Sequence, residues 1–533
     1  MKLLSRGVRL PLAALSGLLA GLAALAVAEL VSAAVRPESG PVIAVGGAAI
    51  DRTPPALKDW AIRHFGTNDK LVLQLGILAV LALLALVLGV LALRFRRIGA
   101  AGVLLFGVVG ALAATGRPDS TSAADALPSV VGCLVGAALL YLLIGRLTPP
   151  HRTAVGTEDA PEGQATPAPD GWDRRGFVIA ASAAAAASAG AGLLGRSLNS
   201  SSGQGAVASR TKVLLPSPAS AARPIPSGAA LHIPGISPFV TPNGDFYRVD
   251  TALVIPKVDA TSWRMKIHGK GVSVPLTLTF QDLLKRRLME RDITLACVSN
   301  EVGGPYVGNA RWIGVPLADL LKEAGVRPPS RGGPADQLVA RSVDGMTIGT
   351  PVEDIMDGRD AMLAVGMNGE PLPFVHGFPV RMVVPGLYGY VSACKWLQDL
   401  ELTTFDAYDS YWVKRSWAKK APIKTESRID TPKPFARPKA GTVMIAGVAW
   451  AQHRGIDRVE VRVDDGPWTR ADLATEDTTD TWRQWSLPWK ATSGGHTLTV
   501  RATDRTGLTQ TEQRTPTIPD GASGWHSVVI TVD

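Results

Sequence analysis

The chain has 533 residues, 46% of them hydrophobic and 19% charged, with a net charge of +9. That length exceeds one ordinary core, so several domains are expected. The basic residues are scattered or flank apolar runs instead of forming a stripe, which argues against nucleic-acid binding, and three cysteines (Cys133, Cys297 and Cys394) are too few for a disulfide framework.

The N-terminal part is rich in Ala, Leu, Gly and Val. Five apolar runs there are long enough to cross a bilayer: residues 10–28, 71–93, 98–114, 127–145 and 176–195. Lys2, Arg6 and Arg9 precede the first run, and Arg94, Arg96 and Arg97 separate the second from the third. Arg146 and Arg152 follow the fourth, and Arg174 and Arg175 precede the fifth. Five spans put all these clusters on one side, so the positive-inside rule predicts a cytoplasmic N-terminus and an extracytoplasmic chain after residue 196. His64 and His151 are the histidines before residue 210 and both fall in loops, so no span offers haem ligands. No span has a charge near its middle, as an ion path would need. The spans are therefore expected to form an anchor or docking platform, with Cys133 as packing.

The fifth run is almost entirely Ala, Gly and Ser and follows Asp173-Arg174-Arg175-Gly176-Phe177-Val178. Two readings stay open for the arginine pair: a positive-inside flank, or an internal twin-arginine export signal for a folded, cofactor-loaded domain. Residues 151–172 read as a linker and 197–235 as a flexible tether, from their Pro, Gly, Ser and Thr content.

From residue 236 the pattern is mixed α/β. Trp263–Ile267 and Ile293–Ala296 are expected strands, and Pro316–Ala324 an amphipathic helix with Leu317, Leu320 and Leu321 on one face and Gly325 beyond it. Further on, Thr442–Val448, Val459–Val463, Trp482–Leu487 and His496–Thr503 alternate like short strands, with turn signals at Asp465-Gly466 and Gly494-Gly495. That is the pattern of an immunoglobulin-like β-sandwich.

Cys297 ends a β-like run and opens the loop Val298-Ser299-Asn300-Glu301-Val302-Gly303-Gly304. It reads either as a small buried hydrophobe or as a soft thiolate ligand presented where a strand gives way to a glycine-rich loop. Gly308-Asn309-Ala310-Arg311-Trp312-Ile313-Gly314-Val315 follows, and later His376-Gly377-Phe378-Pro379-Val380-Arg381-Met382-Val383-Val384-Pro385-Gly386, running through Tyr388-Gly389-Tyr390 to Lys395-Trp396-Leu397. With these segments the chain resembles the sulfite oxidase family of molybdenum-cofactor enzymes, in a membrane-anchored bacterial form. Asn243-Gly244-Asp245-Phe246-Tyr247-Arg248 looks like that family's early cofactor-binding stretch, and the C-terminal strands resemble its immunoglobulin-like dimerisation domain. The resemblance covers roughly residues 236–515 and leaves out the apolar half.

The resemblance implies a molybdenum–molybdopterin cofactor (Moco) with Cys297 as metal ligand. Asn243, Tyr247, Arg248, His376, Arg381, Ser392 and Lys395 would contact the pterin and its phosphate, for which Arg and Lys are suited. Arg264 matches an anion-binding position. Each has a rival role: a surface ion pair for Arg381, a core histidine for His376, a solvated strand face for Arg264. Asn300-Glu301 stands where the family carries basic residues, and an acid beside the metal would repel sulfite. Cys394 sits where the chain has one residue more than the family pattern; it either lines the cofactor site or is an ordinary buried thiol.

The expected organisation is multidomain: a four-span region at 1–150, the linker, a fifth transmembrane helix at 173–196, the tether, an α/β (α+β) molybdopterin domain at 236–420 and the sandwich at 421–533. The function implied is sulfite-oxidase-like two-electron oxygen-atom transfer, membrane-anchored and outside the cytoplasmic membrane, on a small oxyanion or sulfoxide. The alternatives are a sulfoxide-type reductase of the same fold and a non-catalytic membrane-bound binding module. A plant-type nitrate reductase is disfavoured, since haem and flavin motifs are missing. The implied partners are a cytochrome or quinone-linked electron carrier and a second copy bound through the C-terminal domain.

Overall fold

The computed structural model describes residues 2–54, 57, 60, 64–65, 69–117, 120, 122–148 and 174–533. The expected linker at 151–172 lies outside these. The chain divides into two compact units, residues 1–204 with 252–254, and residues 205–251 with 255–533.

The first unit is helical: α1 (Lys2–Val35), α2 (Pro41–Arg52), α3 (Asp69–Arg94), α4 (Arg96–Thr115), α5 (Leu127–Leu147) and α6, which begins at Arg174. Among the described residues, five helices in this region are long and apolar enough to cross a membrane, one over each expected run. α2 was not foreseen; its sequence, Pro41-Val-Ile-Ala-Val-Gly-Gly, is apolar but short, and Pro41 sits at the favoured first helical position. Helices approach through glycines. A Cβ on Gly17 of α1 would lie 1.9 Å from the Ala85 carbonyl oxygen of α3, and one on Gly132 of α5 would lie 2.4 Å from that of Ala24.

α6 continues to Thr211. The Ser/Gly/Ala composition after residue 196 suggested a tether, but residues 197–211 are helical. Ala206 and Ser209 are buried, and the Ser209 hydroxyl both donates to the Ala206 carbonyl and accepts from the Ala260 N–H at 3.1 Å. Tertiary contacts override weak local propensity there.

In the second unit one five-stranded sheet runs β2 (Leu276–Thr279), β1 (Arg264–Gly269), β10 (Leu397–Thr403), β5 (Gln337–Ser342), β6 (Thr347–Pro351), with β1 parallel to β10. A second, antiparallel sheet runs β3 (Met289–Ala296), β4 (Val307–Pro316), β7 (Met362–Met367), β8 (Glu370–Pro371), with β9 (Arg381–Val383) also on β7. The amphipathic helix forms over Leu317–Glu323; Leu317, Leu320 and Leu321 are fully buried, and Gly325 follows with φ +79°. Both sheets pack on one core that includes Trp312, Phe378 and Leu400.

The C-terminal part is a β-sandwich. β11 (Glu426–Thr431), β12 (Gly441–Trp450), β16 (Arg483–Ala491) and β15 (Asp472–Leu473) form one sheet. β14 (Thr469–Arg470), β13 (Ile456–Val463), β17 (Gly494–Asp504) and β18 (His526–Val532) form the other. Ile445, Val459, Trp485, Val500 and Ile530 fill the space between them. Gly494 and Gly495 belong to β17, paired with Val532 and Thr531, so they do not make the expected turn. The sandwich also buttresses β3. The Thr294 N–H donates to the Asp480 carbonyl at 2.9 Å, and the Gln452 amide donates to the Thr294 carbonyl at 3.0 Å, three residues before Cys297.

Candidate active site

β3 is hidden on nearly every position because β4 covers one edge and the sandwich the other. The ladder runs one step past the strand, the Cys297 N–H donating to the Tyr306 carbonyl at 2.9 Å. The chain then turns sharply: the Asn300 N–H reaches the Cys297 carbonyl at 3.0 Å, and the Asn300 side-chain oxygen accepts the Tyr306 N–H at 2.7 Å. The Cys297 sulfur is thereby fixed at the strand end, 3.4 Å from the Ser299 N–H, with the residue 8% exposed. Burial pushes its thiol pKa up, while Ser299 and the Lys395 charge work in the opposite direction.

The facing wall comes from residues 374–396. A short 3-10 turn, Phe374–His376, ends at Gly377, whose φ is +107° and where a Cβ would lie 3.0 Å from the Lys395 Cα, so no side chain fits without a shift. The His376 Nε2 meets the Asn243 carbonyl at 2.9 Å, and its ring stands edge-on to Phe246. Burial, with Arg381, Lys395 and Arg248 nearby, holds the His376 pKa down at about 4. Arg381, on β9, is 5% exposed; it stacks over Trp312 at 4.9 Å and donates to the His376 carbonyl at 3.2 Å, but its Nε has no hydrogen-bond partner. Burial draws its pKa down to about 10, so it remains a cation at neutral pH. The Lys395 ammonium pairs with the Asp250 carboxylate at 3.0 Å, which also takes the Arg248 Nε at 2.8 Å.

These walls enclose a cavity with about 880 Å³ of free space, open on one side. Cys297, Tyr247, His376, Arg381, Cys394 and Lys395 line its depth, and Tyr390, Met346, Ile348, Trp412 and Trp417 give it an aromatic and apolar flank. The Tyr247 phenol is held protonated by burial and by the Cys297 thiol nearby, against the pull of Arg381. Burial and the Asp344 carboxylate push the Cys394 thiol up as well.

A family profile described as "Oxidoreductase molybdopterin binding domain" matches residues 252–412. Mouse mitochondrial sulfite oxidase is 31% identical over 293 residues, covering 47% of this chain and 53% of that protein. The uncharacterized oxidoreductase YuiH of Bacillus subtilis is 31% identical over 159 residues, covering 30% of this chain and 74% of that protein. The chain belongs to the sulfite oxidase family of molybdopterin-binding oxidoreductases. It spans about half the length of the sulfite oxidases it matches. Among solved structures, the sulfane dehydrogenase SoxCD of Paracoccus pantotrophus is 26% identical with a TM-score of 0.47, over 55% of this chain and 84% of that one.

The cofactor of this family is Moco, and the residues present suit it. A buried cation with an unpartnered Nε is costly unless an anion meets it, and the phosphate of the pterin is such an anion. A buried thiol at the same cavity is a soft ligand that metal binding would deprotonate.

Of the residues singled out in the sequence, Tyr247, Cys297, His376, Arg381 and Lys395 converge on the cavity. Others do not reach it. The Ser392 hydroxyl donates to the Leu387 and Tyr388 carbonyls of its own turn, at 2.9 and 3.0 Å. The Asn243 side chain is held by Asn368, and Arg248 acts through Asp250. Arg264 is exposed and bonds the Thr261 and Trp263 carbonyls, because β1 alternates and Trp263 and Met265 take the inward positions. Glu301 is exposed and does not line the cavity, so it does not stand beside the Cys297 sulfur on the wall as expected. Cys394 lines the cavity and is also buried, joining both readings of it. Asp250, Asp344, Trp412 and Trp417 were missed; the aromatic density of Tyr411-Trp412 through Trp417 was the available signal.

Proposed function

We propose that this oxidoreductase is membrane-anchored and performs two-electron oxygen-atom transfer outside the cytoplasmic membrane. The observation that carries the chemistry is the Arg381 guanidinium, buried with an unpartnered Nε on the wall that also holds the Cys297 thiol. Bound in that cavity, Moco would supply oxygen-atom transfer at molybdenum. Cys297 would complete the sulfur set. Arg381 and Lys395 would hold the phosphate, and His376, neutral and fixed by the Asn243 carbonyl, would donate no charge to compete with them. The Tyr247 Oη keeps its proton on the same cavity wall, and Trp412 and Trp417 would present apolar surface to a bound group. Molybdenum and pterin analysis of the purified full chain tests this: wild type should carry both, and Cys297→Ser should lose the metal and activity together. A wild-type protein expressed in a Moco-producing host that holds neither would overturn it.

The similarity to sulfite oxidases supports an oxyanion such as sulfite as substrate. The aromatic and apolar flank supports a second reading, reduction of an organic sulfoxide. Assays of the loaded protein with sulfite plus an artificial acceptor, and with an aryl methyl sulfoxide plus an artificial donor, separate the two. The five long apolar helices and their flanking arginines support a cytoplasmic N-terminus and an extracytoplasmic oxidoreductase domain. Arg174 and Arg175 at the start of α6 would serve twin-arginine export; changing both to Lys should hold the domain in the cytoplasm, and normal export would reject that route. A cytochrome or quinone-linked carrier would exchange the electrons, and the sandwich would pair two copies.

A further inference from the structure

Two apolar cavities lie between the helices of the N-terminal unit. One has about 1,320 Å³ of free space, between Ala28 of α1, Pro41 of α2, Gly76 of α3 and Ser129 of α5. The other has about 1,020 Å³, between Gly17 of α1, Ala85 of α3 and Leu140 of α5. Ala24, Leu25, Leu81, Phe106 and Cys133 line both, so they are two reaches of one slot. Along α3 the lining extends from Val72 to Leu88. At 1.5 Å per residue that is ~24 Å, most of the ~30 Å hydrocarbon thickness of a bilayer. Small side chains keep the slot open: a Cβ on Gly76 would meet nothing within 4 Å.

One wall residue is polar in an unusual state. Ser129 is 2% exposed and its hydroxyl has no hydrogen-bond partner. A helical serine in an apolar setting ordinarily donates to the carbonyl one turn back, as Ser16 does to Leu12 at 2.8 Å. Ser129 does not, and an unpaired hydroxyl in hydrocarbon is costly.

We propose that this slot binds an isoprenoid quinone, with the chain lying along the lining that α1, α3, α4 and α5 share, beside the α1–α3 contact, and a ring carbonyl accepting the Ser129 hydrogen bond. The length and apolar walls select a long hydrocarbon chain. A single buried hydroxyl, with no charged residue among the described residues of the wall, selects a neutral acceptor headgroup over the charged one of a phospholipid. A quinone is also a two-electron carrier, matching an oxidoreductase domain that exchanges electrons in pairs. The proposal rests on the membrane reading of the helices and not on the contents of the Cys297 cavity.

The test uses the full chain in nanodiscs of quinone-free saturated phosphatidylcholine, titrated with decylubiquinone, with molybdenum measured on the same samples. Wild type should bind about one quinone per chain. Gly76→Leu, whose Cβ meets nothing within 4 Å and whose branched end projects into the slot, should weaken binding at least tenfold. Ser129→Ala should weaken it roughly three- to tenfold, the worth of one hydrogen bond. Molybdenum content should not change in either. Inserted protein that binds phospholipid but no quinone, or binds quinone equally in wild type and Gly76→Leu, would overturn the proposal. A chain that does not insert into nanodiscs at all would overturn the membrane reading with it, whereas missing molybdenum with intact quinone binding would count only against the proposed oxidoreductase chemistry.

Discussion

The His376 ring and the Asn243 backbone meet at 2.9 Å across 133 residues of sequence. A carbonyl only accepts, so Nε2 carries the ring proton and Nδ1 is the free acceptor. With its pKa held at about 4, the ring stays neutral through the physiological range. The contact locks the early Asn243–Arg248 segment to the His376–Arg381 segment, and Phe246, stacked on Tyr247 and edge-on to His376, holds the corner.

Replacing His376 by Phe should therefore do two things. It leaves the half-buried Asn243 carbonyl without its donor, at a cost of about 1–3 kcal/mol, and it loosens the segment that presents Tyr247. We expect a lower Tm and a several-fold drop in molybdenum per chain, with His376→Gln recovering part of both. Unchanged metal content in His376→Phe would reject its role at the cofactor.

Arg381 permits a sharper separation of structure from function. Its charge is buried with an unpartnered Nε, so without cofactor it should be a burden to the fold. Arg381→Met in a host unable to make Moco should leave stability equal or raise it by about 1–3 kcal/mol in urea unfolding. In a Moco-producing host the same variant should lose pterin. A large destabilisation of the cofactor-free variant would mean that Arg381 is a structural cation.

The sequence made this site legible to the extent that it is carried by short motifs. Cys297, His376, Arg381 and Lys395 all sit at motif positions and all reach one cavity. Ser392 and Arg264 sat at equally plausible positions, but a hydroxyl captured by its own turn and a strand residue facing outward are decided by local backbone geometry that residue type does not carry. The aromatic and apolar flank was hidden for another reason: Met346 and Ile348, at the start of β6, and Trp412 and Trp417, more than 60 residues later, meet only in the folded chain. Among the helices, length and hydropathy marked five, while α2 was too short to register and the extension of α6 to Thr211 runs against its composition.

Gly303, in the loop that follows Cys297, adopts φ +78°, and a Cβ there would lie 2.1 Å from the His526 ring of the sandwich. Gly303→Ala must displace that ring or the loop. We expect destabilisation of about 1–3 kcal/mol and reduced activity from a displaced Cys297, read as a fall in kcat with Tm. A variant with wild-type Tm and kcat would show the loop to be free of the sandwich.

The same histidine makes stability pH-dependent. The His526 Nδ1 accepts the Ile429 N–H at 3.0 Å, and burial, with Arg428 nearby, lowers its pKa to about 4. The folded state thus binds fewer protons than the unfolded chain between about pH 4 and the ordinary histidine value of about 6.5. Above that window His526 costs nothing; as the pH falls through it, stability is lost with a slope approaching 1.4 kcal/mol per unit, about 3 kcal/mol in all. His376 adds a loss of the same sign. His526→Asn keeps an acceptor for Ile429 but does not titrate, so its urea midpoint, followed by tryptophan fluorescence, should fall less steeply between pH 7 and pH 4.5. Equal slopes in variant and wild type would place the acid sensitivity elsewhere.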